Sequence, residues 1–221
     1  MKKGRTLIVT GLGLLGAPTL ELLAQSPEFD RVHDRLIACD IDEDRGIRAV
    51  NLARAEAYAR GLHPNIEFTK MDLTDVDGIA EMLKAYEPDL IFQTSSLISW
   101  WVPRLLPAEI AKDLSYEAAI GSFVPCHMAL IYNLMRAIWK TGLSEKTMVV
   151  NASIPDITST MLARKGLGYE VGMGNMANYA PRLKYILSKK LNVSPREVML
   201  YWYAAHGVVY SGISFTGTTR A

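Results

Sequence analysis

Gly11, Gly13 and Gly16 stand at GxGxxG spacing between the apolar run Leu7-Ile8-Val9 and the stretch Ala17-Pro18-Thr19-Leu20-Glu21-Leu22-Leu23. That pattern suits the binding of a phosphate by backbone alone. The first glycine permits a tight turn, the second lets a pyrophosphate approach the chain, and the third lets the following helix pack close to the strand. Backbone N–H groups around Leu14 and Leu15, with the positive end of the helix dipole, then face the anion. The spacing is common by itself, and its context gives it weight. A second apolar run, Leu36-Ile37-Ala38-Cys39, ends in Asp40, 24 residues beyond Gly16. A carboxylate there accepts hydrogen bonds from an adenosine ribose and repels a 2′-phosphate, so the expected ligand is NAD rather than NADP. The structural alternative for Asp40 is to cap a helix starting near Asp42.

These residues need strands and helices in strict alternation. After the second strand, Glu43 to Arg60 is rich in Ala and Arg and stops at Gly61, as a helix does. Ile66-Glu67-Phe68-Thr69 reads as a third strand that closes near Asp72. Val76, Ile79, Ala80 and Leu83 then recur at helical spacing. Asp89-Leu90-Ile91-Phe92-Gln93-Thr94 is a fourth strand, a long helix follows Pro125, and Met148-Val149-Val150-Asn151 is a fifth strand. Ser26 to Asp34 reads as a polar connection. Farther on, Ile154 to Lys165 and Asn178 to Leu191 read as helices, Tyr169-Glu170-Val171 as a short strand and Glu197 to Ala205 as a last strand. The order implies an α/β fold, a doubly wound parallel Rossmann-type sheet with helices on both faces. Ligands in such sheets lie beyond the carboxyl ends of the strands. That adds Asp72, Thr94, Ser95 and Asn151 to the candidate cofactor-binding residues.

The 221 residues carry 24 Lys and Arg against 23 Asp and Glu, so the surface offers no electrostatic footprint for nucleic acid or for an acidic membrane. No apolar run is long enough to span a bilayer. Cys39 and Cys126 sit in apolar surroundings, where they read as inert thiols of a cytoplasmic protein. Four scattered histidines give no metal-ligand spacing. His127 reads as a packing or capping residue. The irregular stretch Ser95 to Pro107, with Trp100, Trp101 and Arg104, suits a lid, an oligomer contact or a pair of buried rings.

From Val149 onward the order of features resembles the lactate/malate dehydrogenase family. That family has a strand ending in Asn-Pro, then Asp-x-x-Thr. This chain has Asn151, Asp156 and Thr158 without the adjacent proline. The family's later Gly-Thr, Asp- and Arg-bearing helix, Val-x-Pro turn, strand and His-Gly have counterparts in Gly174-Asn175, Asn178 and Arg182, Val193-Ser194-Pro195, Val198 and His206-Gly207. The resemblance implies NAD-dependent hydride transfer on a small 2-hydroxy or 2-keto acid, usually in a homo-oligomer. His206 would exchange the proton, since imidazole titrates near working pH. Arg182 would grip a carboxylate through parallel N–H···O bonds. Asn178, one helical turn earlier, stands where the family has an aspartate, and Asn151 would bond the nicotinamide carboxamide or a substrate oxygen.

Two other readings compete. Met71-Asp72-Leu73-Thr74-Asp75 and Tyr185-x-x-x-Lys189, with Ser153, resemble extended short-chain dehydrogenases, which implies a sugar nucleotide or secondary alcohol as substrate. The third is a non-catalytic NAD sensor, because only Val208 to Ala221 follow His206-Gly207. On the dehydrogenase reading the cofactor domain covers 1–152, and 153–221 begins a catalytic part that is short or incomplete.

Overall fold

The computed structural model describes residues 5–32, 35–99, 102–117, 124–174 and 176–201. Two compact units divide at Met173/Gly174.

The first unit is built on β1 (Thr6–Thr10), whose five residues are all buried. Around it lie β2 (Arg35–Asp40), β3 (Ile66–Lys70), β4 (Leu90–Gln93), β5 (Met148–Asn151) and β6 (Val171–Gly172), in the order β3-β2-β1-β4-β5-β6. Every pairing is parallel. Because successive strand residues point to opposite faces, Leu7 and Val9 join one core and Ile8 the other. The Leu7/Val9 face packs on α1 (Gly16–Ala24) and α3 (Glu43–Tyr58) through Leu20, Ala24, Ala49, Ala53 and Ala57. Small side chains on α3 let it lie close, and at Gly46 an added Cβ would sit 1.9 Å from the Phe68 ring. The Ile8 face packs on α4 (Val76–Tyr86) and α6 (Val124–Thr141) through Ile79, Leu83, Ile131, Leu134 and Ile138. Helices thus cover both faces of a six-stranded parallel sheet.

Two helices stand where the sequence pattern gives none. Ser26 to Asp34 contains α2 (Pro27–Val32), and α5 (Ala108–Glu117) follows a 3₁₀ turn at Val102–Leu105. α7 (Pro155–Ala163) leads to β6. The chain between 153 and Gly172 therefore belongs to the sheet unit, and that unit runs past residue 152 to Met173. The second unit contains α8 (Met176–Leu191), with Pro181 inside it. Of the last strand expected at Glu197 to Ala205, residues 197–201 form no strand, and the remainder lies outside the described residues.

Candidate functional site

The strand order reverses between β1 and β4, and the crevice that such a reversal opens lies beyond the carboxyl ends of the strands. Here it is a cavity of about 580 Å³. Its walls are the glycine turn, Asp40 and Arg45, Asp72 and Thr74, the segment after β4, the start of α6 and the segment after β5.

The three glycines of the turn have different environments. Gly11 has φ +81°, a conformation that a side chain strains, and an added Cβ would meet Ser95 at 2.7 Å. At Gly16 the Cβ would stand 1.9 Å from the Gly11 carbonyl oxygen. At Gly13 it would meet nothing within 4 Å. Two glycines are thus needed for the protein to close on itself, and the third leaves open space against the backbone. No side chain caps α1, and no acidic residue stands in its first turn. These residues fit a diphosphate: open room at Gly13, beside a helix N-terminus left uncapped by side chains.

Thr94 and Ser95 line the cavity, yet their polar groups brace the turn. The Thr94 hydroxyl is shared between the carbonyls of Gly11 (2.7 Å) and Thr10 (2.9 Å). The Ser95 hydroxyl donates to the buried Gln93 side chain at 2.8 Å.

Asp40 is buried and faces the cavity. Its Oδ2 accepts the Leu12 N–H at 2.6 Å, its Oδ1 accepts the Asp42 N–H at 2.9 Å, and Arg45 Nη1 lies 3.7 Å from Oδ1. The helix cap is Asp42, whose side chain accepts the Arg45 N–H, so Asp40 is left to join β2 to the glycine turn. Asp72 Oδ1 accepts both the hydroxyl and the N–H of Thr74, which hold its carboxyl below the usual range. The Cys39 thiol, buried and next to Asp40, is pushed up to about 12, so it stays protonated and unreactive.

Asn151 departs from the sequence expectation. It is wholly buried and does not line the cavity. Its amide donates to the Ser153 carbonyl, Thr158 Oγ1 and Tyr169 Oη at 3.1–3.2 Å, and its Oδ1 accepts the Ser153 N–H. With these hydrogen bonds made inside the protein, Asn151 holds the turn after β5. The group this turn presents to the cavity is Ser153, whose Oγ lies 2.8 Å from His127 Nδ1. Burial pushes the His127 imidazole below its ordinary value. Arg45, Thr74 and His127 are cavity residues absent from the cofactor set read from the sequence.

The expected catalytic residues belong to the second unit. Arg182 is on α8 and exposed; Asn178 is on the same helix, its side chain outside the described residues, as are His206 and the Trp100-Trp101 pair. Tyr185 and Lys189 lie one turn apart on α8, the ammonium 5.6 Å from the ring centre, and both line a separate cavity within that unit. Among the described residues no cluster of His, Cys, Asp or Glu could hold a metal, and no helix is long and apolar enough to cross a membrane.

The parallel sheet with helices on both faces and the glycine turn after its first strand define a Rossmann-type fold. No family model and no curated protein matches the sequence. Solved structures of lactate and malate dehydrogenases share the fold. The lactate dehydrogenase of Eimeria maxima, solved with NADH and oxamate, superposes with a TM-score of 0.57 at 14% identity, over 89% of this chain and 51% of its own. The malate dehydrogenase of Picrophilus torridus gives 0.59 at 20% identity, over 88% and 53%. The minor L-lactate dehydrogenase of Enterococcus mundtii gives 0.56 at 16% identity, over 90% and 54%. The chain spans about half the length of these proteins.

Proposed function

We propose that this protein is an NAD-dependent oxidoreductase acting on a small 2-hydroxy or 2-keto acid. The observation that carries the reading is the contrast among the three glycines: Gly11 and Gly16 are sealed by packing, while Gly13 opens onto the cavity at the strand-order reversal. The likeness in fold to proteins solved with NADH or NAD supports the same cofactor. When bound, the dinucleotide would supply or accept the hydride.

The chain's own residues then divide the remaining work. Backbone N–H groups at the glycine turn hold the diphosphate, and Asp40 accepts the adenosine ribose hydroxyls. The resemblance read from the sequence would give His206 the proton exchange with the substrate oxygen, Arg182 the grip on its carboxylate and Asn178 the place of the family's aspartate. Two free cysteines suit a reducing cytoplasm. Leu22 on α1 and Leu52 on α3 are large exposed apolar side chains of the kind a second copy of the chain would cover.

The test is calorimetric titration with NAD and NADP, followed by NADH absorbance on a panel of 2-hydroxy acids. NAD should bind more tightly than NADP, and at least one hydroxy acid should produce NADH. His206→Gln should abolish turnover and leave NAD affinity within about twofold, since its role is proton transfer. Binding with no turnover on any hydroxy acid would leave a sensor, and turnover lost in Tyr185→Phe but kept in His206→Gln would transfer the chemistry to Tyr185.

A further inference from the structure

We infer that Ser153, held by His127, is the hydrogen-bonding post for the carboxamide of the nicotinamide ring. The inference rests on the dinucleotide reading and goes beyond it, to a pair that the glycine motif does not reach.

Strand order sets which end of the cavity the ring would enter. Asp40, at the end of β2, stands on the adenosine side of the reversal. The second half of a dinucleotide then runs to the β4–β5 side, where Ser96, Leu97, His127, Leu130, Ser153 and Ile154 form the wall. Among these the polar side chains are few, and two of them are coupled to each other. Ser153 is 4% exposed and His127 6%, yet both face the cavity, with Oγ and Nδ1 2.8 Å apart. A buried hydroxyl and imidazole at a ligand wall are costly to desolvate unless hydrogen bonds satisfy them.

A carboxamide fits this pair in either imidazole tautomer. If the Ser153 O–H donates to Nδ1, the oxygen lone pairs are left for an N–H of the ligand. If Nδ1–H donates to Ser153, the hydroxyl hydrogen is left for a carbonyl oxygen. A carboxamide carries both groups on one planar carbon. Burial also favours the neutral form of His127, which suits a ring that is cationic when oxidised.

The backbone is fixed for this task. Asn151 brackets Ser153 by accepting its N–H at 3.1 Å and donating to its carbonyl at 3.2 Å. The next residue, Ile154, has φ 42° and ψ 64°, a left-handed conformation that a β-branched side chain adopts only under constraint. The network of Asn151, Thr158 and Tyr169 supplies that constraint. Sequence reading gave Asn151 the carboxamide or a substrate oxygen; the structure bonds Asn151 inward and sets Ser153 two residues later at the cavity. Ser153 would touch the cofactor, and His127, acting through it, is a positioning residue.

The test compares NAD with ADP-ribose, which lacks the nicotinamide, by calorimetry on the full chain. Ser153→Ala should weaken NAD about fivefold, the worth of one net hydrogen bond, and leave ADP-ribose within about twofold. His127→Ala should weaken NAD by a smaller factor, and His127→Asn, whose amide can occupy the Nδ1 position, should restore most of it. A second measurement needs no mutation: pyridine adenine dinucleotide, without the carboxamide, should bind the unaltered protein more weakly than NAD by about the same factor. Equal loss of NAD and ADP-ribose in Ser153→Ala, or equal affinity of the unaltered protein for NAD and the pyridine analogue, overturns the assignment. Unaltered protein that binds neither NAD nor ADP-ribose would instead overturn the dinucleotide reading itself.

Discussion

Leu12 donates its backbone N–H to Asp40 Oδ2 at 2.6 Å, a bond between the glycine turn and the end of the neighbouring strand. Both residues are buried, so removing the carboxylate leaves a backbone donor without water to replace it. Such an orphaned donor costs about 1–3 kcal/mol, and in a chain of this size each kcal/mol lowers Tm by about 2–4 °C. Asp40→Ala should therefore melt several degrees earlier than the parent in the absence of any cofactor. Asp40→Asn, which keeps one acceptor oxygen, should lose less. A thermal scan showing Asp40→Ala unchanged would mean that Thr94 and the bond from the Gly11 N–H to the Cys39 carbonyl hold the turn without it.

The same carboxylate is proposed to set cofactor choice, and beside it stands a cation that the sequence reading left out. Arg45 lies 3.7 Å from Asp40, half exposed at the cavity wall, where its charge offsets part of that of the carboxylate. Asp40→Ser should weaken NAD and relax discrimination against NADP. Arg45→Ala should act oppositely, weakening NADP more than NAD and sharpening the preference, because the remaining carboxylate repels a 2′-phosphate. Dissociation constants for both dinucleotides, at several salt concentrations, check the pair. An Arg45→Ala protein with an unchanged ratio would place Arg45 outside the ribose site.

Gly13 and Gly16 should separate binding from folding. Gly13→Ala adds a methyl to open space, so the protein should fold with nearly the parent's Tm and lose dinucleotide affinity by about tenfold or more, the effect of blocking a backbone approach. Gly16→Ala drives a methyl to 1.9 Å from the Gly11 carbonyl oxygen, which only movement of the backbone relieves, so stability itself should fall. Circular-dichroism melting beside NAD titration distinguishes the two. Comparable loss of Tm in both variants would remove the argument that Gly13 is kept for a ligand.

Local patterns explain why some of this was legible in the sequence and some was not. The strands that form the sheet centre are short apolar runs closed by polar residues, and the glycine spacing and Asp40 lie within one βαβ unit, so sequence distance alone brings them together. α2 carries Pro, Glu, Asp and Arg within a single turn and a half, too short for an apolar stripe to show. The inward bonding of Asn151 was not legible because its partners, Thr158 and Tyr169, arrive from α7 and the approach to β6. Nothing at a strand end announces whether an amide will be captured from behind. The His127–Ser153 pair spans 26 residues, from the start of a helix to the turn after a strand, and only the sheet's topology makes it a pair.

His127 should leave a signature in stability as well as in binding. Burial is the cause that lowers its pKa, so the folded protein keeps the ring neutral at a pH where the unfolded chain, near 6.5, has already taken up a proton. The unfolded state then binds more protons, and stability falls as pH drops through that interval. The contribution is whole above about pH 7, is lost progressively below 6.5, and stops changing once the folded ring also protonates. One group can impose a slope of at most about 1.4 kcal/mol per pH unit. Glu67 and Asp72, whose carboxyls are held low by Arg35 and Thr74, act in a lower window, below the ordinary carboxylate range. Denaturant midpoints measured from pH 7.5 to 5 should therefore fall more steeply for the parent than for His127→Asn, which cannot titrate. Parallel slopes would mean that the ring protonates in the folded state as readily as in water, and that the wall at Ser153 is wetter than its 4% exposure implies.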